Sequence, residues 1–200
     1  MSQRLFLVRH GRTGWNKAGR YLGTSDIDLD ERGVAESKRL ARWAASASLG
    51  TIVSSPAVRA RHTAAIVAAQ VGLDMRVDER FRELDFGAAE GRTLAELRAE
   101  DAEIVARFEM DPVEYHLPGG EHPRAALDRM RAAIRDLRSE PPARVLVVTH
   151  NTVLRLFVSD CLGIPLARYR RLLPVAEHCA ITELGVTGDA FAVYRYNAAP

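Results

Sequence analysis

The stretch Leu5-Phe6-Leu7-Val8-Arg9-His10-Gly11-Arg12-Thr13-Gly14-Trp15-Asn16 decides the fold class. Leu5 to Val8 form a short continuous apolar run, the pattern of a parallel strand buried on both faces; a half-exposed strand would alternate. The run stops at Arg9 and His10, and Gly11 and Gly14 let the backbone turn and approach a ligand closely. Ligands of open α/β sheets bind outside the carboxyl ends of strands, so a guanidinium and an imidazole at this point are placed for chemistry. An arginine fork matches phosphate oxygens and a neutral imidazole can attack phosphorus, so these residue types favour a phosphate ligand. Taken alone, Arg9-His10 reads equally well as a strand-end turn with a solvated arginine and a satisfied histidine.

A second stretch repeats the arrangement. Arg144 to Val148 is the clearest strand in the chain, and it ends in Thr149-His150-Asn151-Thr152 before a helix through Val153, Leu154, Leu156, Phe157 and Val158. The start of such a helix offers backbone amides and a positive dipole end to an anion. Between these stretches, a helix is predicted from near Asp30, its N-cap, through Ala44. A strand over Thr51 to Ser54 follows, then a helix with Ser55 as cap and Pro56 at its first position. Arg59 falls in the first turn of that helix, where the dipole gives a cation no benefit; it is either placed for an anion or an ordinary solvated arginine. His62 reads as a packing histidine. From Phe81 to Gly87 apolar and charged residues alternate, which predicts an extended segment with Glu83 and Asp85 on one side. One of these carboxylates could serve as a general acid; the bland alternative is a solvated face or a partner for Arg80 or Arg82, and it is preferred for Asp85.

Thr93 to about Phe108 reads as one amphipathic helix. An irregular excursion follows at about 109–123, containing Pro112, Pro118, Gly119, Gly120 and Pro123 and long enough to cover a substrate, with His116, Glu121 and His122 as candidate contacts. A helix from Arg124 to about Arg138 ends at Ser139-Glu140-Pro141-Pro142. Two strands near Ala180 to Leu184 and Ala190 to Tyr196, joined around Thr187-Gly188-Asp189, suit a hairpin at the sheet edge. The expected fold is α/β, a three-layer α/β/α sandwich with a mostly parallel sheet and an antiparallel edge strand. No repeat or linker divides the 200 residues, so a single domain over 1–200 is expected.

A net charge of +2 creates no demand for nucleic acid or an anionic membrane as partner. Cys161 and Cys179 show neither a metal-ligand spacing nor a disulfide framework and read as small buried hydrophobes. No apolar stretch reaches membrane-spanning length, and the N-terminus runs into the first strand without a leader, so a cytoplasmic location is expected.

Arg9-His10-Gly11-Arg12-Thr13 with Asn16, Ser55-Pro56 with Arg59-Ala60 and Thr63-Ala64, Glu83 four residues before Gly87, and Thr149-His150 together resemble the histidine phosphatase, or phosphoglycerate-mutase-like, superfamily. The match covers nearly the whole chain in order. The resemblance implies His10 as the nucleophile that forms a phosphohistidine, with Arg9, Arg59 and His150 holding the transferring phosphoryl group. It implies Asn16, Gly23 and Asn151, the last through its backbone amide, as phosphate or substrate ligands. Glu83 would protonate the leaving alkoxide and then assist water. No metal or cofactor is implied, because basic side chains supply the positive charge. The segment Arg82 to Thr93 resembles the phosphatase branch, including α-ribazole and broad-specificity phosphatases, so the expected substrate is a small phosphorylated metabolite. A phosphoglycerate-type phosphomutase and a non-catalytic phosphate-binding module are the alternatives. Dimers are common among such relatives. Arg12, Ala89 and Asn151 depart from the usual pattern, where Glu or Gln, an aromatic and glycine are frequent.

Overall fold

In the computed structural model, which describes residues 3–139, 144–187 and 190–200, the chain runs β1 (Gln3–Arg9), α1 (Gly14–Lys17), α2 (Glu31–Ala44), β2 (Thr51–Ser54), α3 (Val58–Val71), β3 (Met75–Val77), α4 (Leu94–Glu100), α5 (Ala102–Met110), α6 (Pro123–Ser139), β4 (Arg144–Thr149), α7 (Asn151–Cys161), α8 (Tyr169–Leu172), β5 (Ile181–Thr187) and β6 (Ala190–Ala198). The predicted helix stop at 140–142 and the turn residues 188–189 lie outside the described residues.

The described strands form one sheet in the order β3-β2-β4-β1-β5-β6. The first four are mutually parallel, and the β5-β6 hairpin supplies the antiparallel edge through β5 against β1. Period-two alternation sends Leu5, Leu7, Val145 and Val147 to one face, where they meet Met130 and Ile134 of α6 and Val153, Leu154 and Phe157 of α7. Phe6, Val8, Leu146 and Val148 go to the other face, against Leu40 and Ala44 of α2 and Ala60, Ala64 and Val67 of α3. Both faces are therefore dry, which is why β1 and β4 read as unbroken apolar runs. Each such side chain contributes about 1.5–3 kcal/mol on burial.

Register then sets the site. Arg9 pairs with Thr149, and Ser54 with Val148. Parallel strands held in this register end side by side, so His10, His150 and Ser55 become neighbours at the carboxyl edge. The turn after β1 is held down by close approach: Gly33 of α2 sits where a Cβ would stand 2.0 Å from the Arg12 carbonyl oxygen. The Arg12 N–H donates to Glu36, and its side chain pairs with Asp30, the N-cap of α2, at 2.8 Å.

Several local expectations are corrected. The helix after β2 starts at Val58, not Pro56, and Ser55 does not cap it; the Val58 N–H donates to Asp26 at 2.7 Å, which frees the Ser55 hydroxyl for His150. The helix expected from Thr93 to Phe108 is two, broken at Asp101, whose extended backbone and side chain cap α5. Residues 81–87 are not a regular extended segment. Glu83 turns inward, whereas Asp85 accepts the Gly87 N–H and stays half-buried. The excursion after α5 packs against this same segment, with the Ala88 N–H bonded to the Pro118 carbonyl and the Glu121 N–H to that of Asp85. Cys179 is buried and Cys161 half-buried; both are free thiols raised to about 12 by burial. Among the described residues no helix is long and apolar enough to cross a membrane.

Candidate active site

His10 follows β1 directly and is 3% exposed. Its Nδ1 lies 2.7 Å from the Gly11 carbonyl oxygen, so Nδ1 carries the proton and Nε2 keeps its lone pair. Burial, followed by the charges of Arg59, His150, Arg9 and His178, holds the imidazole well below its ordinary value of 6.5. A neutral ring with a free lone pair is what nucleophilic attack requires.

His150 stands 5.1 Å from His10 between ring centroids and is fully buried. Its Nε2 lies 2.6 Å from the Ser55 hydroxyl, which itself accepts the Ala57 N–H at 3.4 Å. With Ser55 donating, the His150 proton rests on Nδ1, which has no partner among the described residues. Burial first, then the charges of Arg59, Arg129 and Arg9, keep His150 well below 6.5 as well. Arg9 donates through Nη1 to the Ala176 carbonyl at 2.9 Å, and burial lowers it to about 10. Arg59 donates to the carbonyls of Ser25 at 2.9 Å and Gly23 at 2.8 Å, and its Nε is left over, as is that of Arg9. Of the five buried side-chain polar atoms without a partner among the described residues, three belong to Arg9, Arg59 and His150. Buried polar groups are nearly always satisfied, so this concentration marks a place for an anion.

The Glu83 carboxylate is held by the start of α7. Oε2 accepts the Thr152 N–H at 2.9 Å, and Oε1 accepts those of Val153 at 3.2 Å and Leu84 at 2.8 Å. The amides at the helix N-terminus are thus already engaged, by the Glu83 carboxyl group. A carboxylate has about four lone-pair sites, so one remains, on Oε2. Arg129 of α6 fixes the approach by donating to the carbonyls of Arg80, Arg82 and Glu83 while pairing with Glu121 through two bonds of 2.9 Å.

Arg9, His10, Asn16, Glu83 and Asn151 line a cavity of about 410 Å³, with Tyr21, Phe86, Leu94, Arg155, Arg170 and His178 among the rest of its wall. Arg59 and His150, both 0% exposed, are not among the residues that line it. Asn16 Oδ1 accepts the Thr13 N–H and hydroxyl, which leaves its amide nitrogen as the donor. Gly23 is not on the cavity. Its N–H is taken by Glu90 at 2.9 Å, its carbonyl holds Arg59, and an added Cβ would stand 2.4 Å from the Leu84 carbonyl oxygen, so its part is to place Arg59. No residue of the excursion at 109–123 lines the cavity either, His116, Glu121 and His122 included. Among the described residues no group of three or more His, Cys, Asp or Glu could hold a metal ion.

A family model described as histidine phosphatase superfamily (branch 1) matches residues 5–199. The chain belongs to this superfamily. It is 34% identical over 181 residues to "Probable phosphoglycerate mutase GpmB" of Salmonella choleraesuis, covering 90% of this chain and 83% of that protein. Among solved structures, Bacillus stearothermophilus YhfR superposes with a TM-score of 0.91 at 30% identity, over 99% of this chain and 98% of the other. The mycobacterial glucosyl-3-phosphoglycerate phosphatase in complex with VO3 gives 0.90 at 27% identity, over 98% and 99%.

In this member of the superfamily the departures from the usual pattern are structural or additive. Arg12 anchors α2 and is off the cavity, and Ala89 is fully buried beside Phe86 and Tyr21. Asn151 Oδ1 accepts the Ala176 N–H at 3.0 Å, so its side chain pins that loop and turns its NH2 into a donor on the cavity wall. Three site residues escaped the sequence: His178, Arg155 and Glu90. His178 donates from Nδ1 to the His10 carbonyl at 2.9 Å, and burial lowers it to about 3, so its Nε2 is an acceptor. The available signal was the antiparallel hairpin. A strand running against β1 begins at the carboxyl edge, which brings the residues just before it, His178 included, to the site.

Proposed function

We propose that this chain is a phosphatase that hydrolyses small-molecule phosphate monoesters through a phosphohistidine on His10, with Glu83 as general acid and then general base. The observation that carries the reading is the neutral His10, its Nε2 lone pair free, set among three unpartnered donor atoms of Arg9, Arg59 and His150. In the first half-reaction Nε2 attacks phosphorus, the ester P–O bond breaks, and the leaving alkoxide takes the proton carried on Glu83 Oε2. In the second, Glu83 accepts a proton from water as the water oxygen attacks phosphorus, the P–N bond breaks, and inorganic phosphate leaves. The guanidinium groups and His150 Nδ1–H stabilise charge on the equatorial oxygens, which is the main requirement of phosphoryl transfer. Asn16 and the Asn151 NH2 add donors from the wall. No metal or cofactor takes part in this scheme, and the substrate is a phosphorylated metabolite free in the cytoplasm.

A second reading, a phosphomutase of the same chemistry, is favoured by the 34% identity to a probable phosphoglycerate mutase. The two diverge at the phosphoenzyme, which gives its phosphoryl group to water in one case and to a second hydroxyl in the other. Phosphate release from a panel of sugar phosphates, phosphoglycerates, nucleotides and α-ribazole phosphate, run with EDTA, separates them. Release that depends on His10 supports the phosphatase. Isomerised ester without free phosphate supports the mutase, and loss of activity in EDTA contradicts the metal-free scheme.

A further inference from the structure

The cavity carries more positive charge than one phosphoryl group uses. Arg155, one turn into α7, is 3% exposed, and its guanidinium is fixed by bonds from Nε to the Asn151 carbonyl at 3.1 Å and from Nη1 to those of Leu173 at 3.1 Å and Pro174 at 2.8 Å. The group also lies 5.0 Å from the Tyr169 ring. Its Nη2 has no partner among the described residues, and no carboxylate pairs with it. Arg170 follows on α8, with its guanidinium 4.8 Å over Phe108 and with Tyr169 and Tyr21 among the groups that favour its charge; it too has no carboxylate partner among the described residues. Arg20, on the same wall, is different, because Glu96 neutralises it at 2.9 Å.

Arg9, Arg155 and Arg170 line the same cavity as His10, close enough that Arg155 feels the repulsion of Arg170 and Arg9 that of Arg155. Glu83 on the same wall offsets the charge of Arg9 and Arg155, but no carboxylate bonds Arg155 or Arg170 directly, and a fixed guanidinium with a spare N–H edge is suited to a carboxylate or phosphate. The proposed chemistry already has its phosphoryl ligands in Arg9, Arg59 and His150.

We infer that Arg155 and Arg170 form a second anion subsite, and that the preferred substrate is a phosphate monoester whose alcohol portion carries another anionic group, a carboxylate or a second phosphate. The inference rests on the proposed transfer at His10. Tyr21 and Leu94 supply the less polar wall along which the connecting carbons would lie.

The test compares esters that differ only in the second anion: 3-phosphoglycerate against glycerol 3-phosphate for a carboxylate, and fructose 1,6-bisphosphate against fructose 6-phosphate for a phosphate. In at least one pair the wild-type kcat/KM should favour the doubly anionic member by roughly tenfold to a hundredfold, the range of a charge-assisted hydrogen bond. Arg170→Gln and Arg155→Gln should each bring that ratio towards one; Arg170 is less buried and decides the matter if Arg155→Gln does not fold. The pair that discriminates identifies the anion. Ratios near one in the wild type, or ratios that neither variant changes, overturn the subsite. No turnover of these esters or of p-nitrophenyl phosphate would instead count against the phosphatase reading. Calorimetric Kd values for the same pairs then decide the subsite, with equal affinities overturning it.

Discussion

Replacing Arg129 with Met should be among the most damaging changes outside the cavity. The side chain is 10% exposed, and it joins α6 to the carbonyls of Arg80, Arg82 and Glu83 and to the Glu121 carboxylate, itself 13% exposed. Methionine keeps much of the stem's packing but leaves those acceptors unpaired, with Glu121 retaining only half-exposed Arg82 at 3.3 Å. Breaking one partner of a buried ion pair costs about 3–5 kcal/mol, and the remaining Arg82 contact places this case near 3. Adding Glu121→Gln removes the stranded charge and should recover about 1 kcal/mol, the residue of the loss being the carbonyl bonds. Urea unfolding of the four proteins of this cycle measures both terms. Because Glu83 loses its anchor, kcat/KM on the best ester should fall by roughly tenfold to a hundredfold even where the protein is fully folded. Burial alone would raise the Glu121 carboxyl, but the Arg129 bonds and charge hold it below its ordinary value. Its contribution is therefore present above the unfolded glutamate value of about 4.3 and lost as the pH falls below it, a window absent in Arg129→Met. A cost below about 1 kcal/mol with unchanged activity would refute the anchoring role.

The Ser55→Ala change removes the partner of His150 Nε2 in a fully buried setting; a loss of about 1–3 kcal/mol in stability and a lower kcat are expected, and unaltered kinetics would contradict the assigned tautomer. Gly23→Ala should displace the carbonyls that hold Arg59, because its Cβ would stand 2.4 Å from the Leu84 oxygen, and Kd for inorganic phosphate should rise several-fold; unchanged phosphate affinity would mean Arg59 is held by other means. His10, His150 and His178 are all held below 6.5, chiefly by burial. The unfolded chain then takes up protons that the folded one refuses. Stability should be level from pH 8 to 7 and fall below 6.5 by up to about 1.4 kcal/mol per pH unit for each histidine, continuing towards 3 for His178. Urea midpoints independent of pH between 7 and 5 would contradict this.

The fold and the convergence of His10 and His150 at one sheet edge were legible because they are written in short local patterns. β1 and β4 are apolar on both faces, and their last residues fall at the edge where ligands bind, so His10 and His150 could be placed from strand ends alone. Glu83 was singled out within its segment, but for a geometry that does not occur. Alternation suggested an extended face shared with Asp85, whereas the carboxylate turns in because the amides at the start of α7 attract it. Ser55 shows the same competition: a good helix cap by type, it is drawn to His150, and Asp26 from another loop caps α3 instead. Arg129 and Glu90 were out of reach because their roles consist of contacts between distant segments, and Gly23, named by resemblance as a ligand, holds Arg59 through a contact of the same kind. The excursion at 109–123 looked like a lid from length and composition, but nothing in those properties records that Pro118 and Gly120 pack against Gly87.

The central claim is that His10 becomes covalently phosphorylated. The most direct measurement is rapid acid-free quenching of the enzyme during turnover of its best ester, followed by peptide mass spectrometry of the chain and of His10→Ala. The account predicts an acid-labile, alkali-stable phosphoryl group on the peptide bearing His10, absent in His10→Ala together with phosphate release. Turnover that survives His10→Ala, or a phosphoryl group found on another residue, would contradict it.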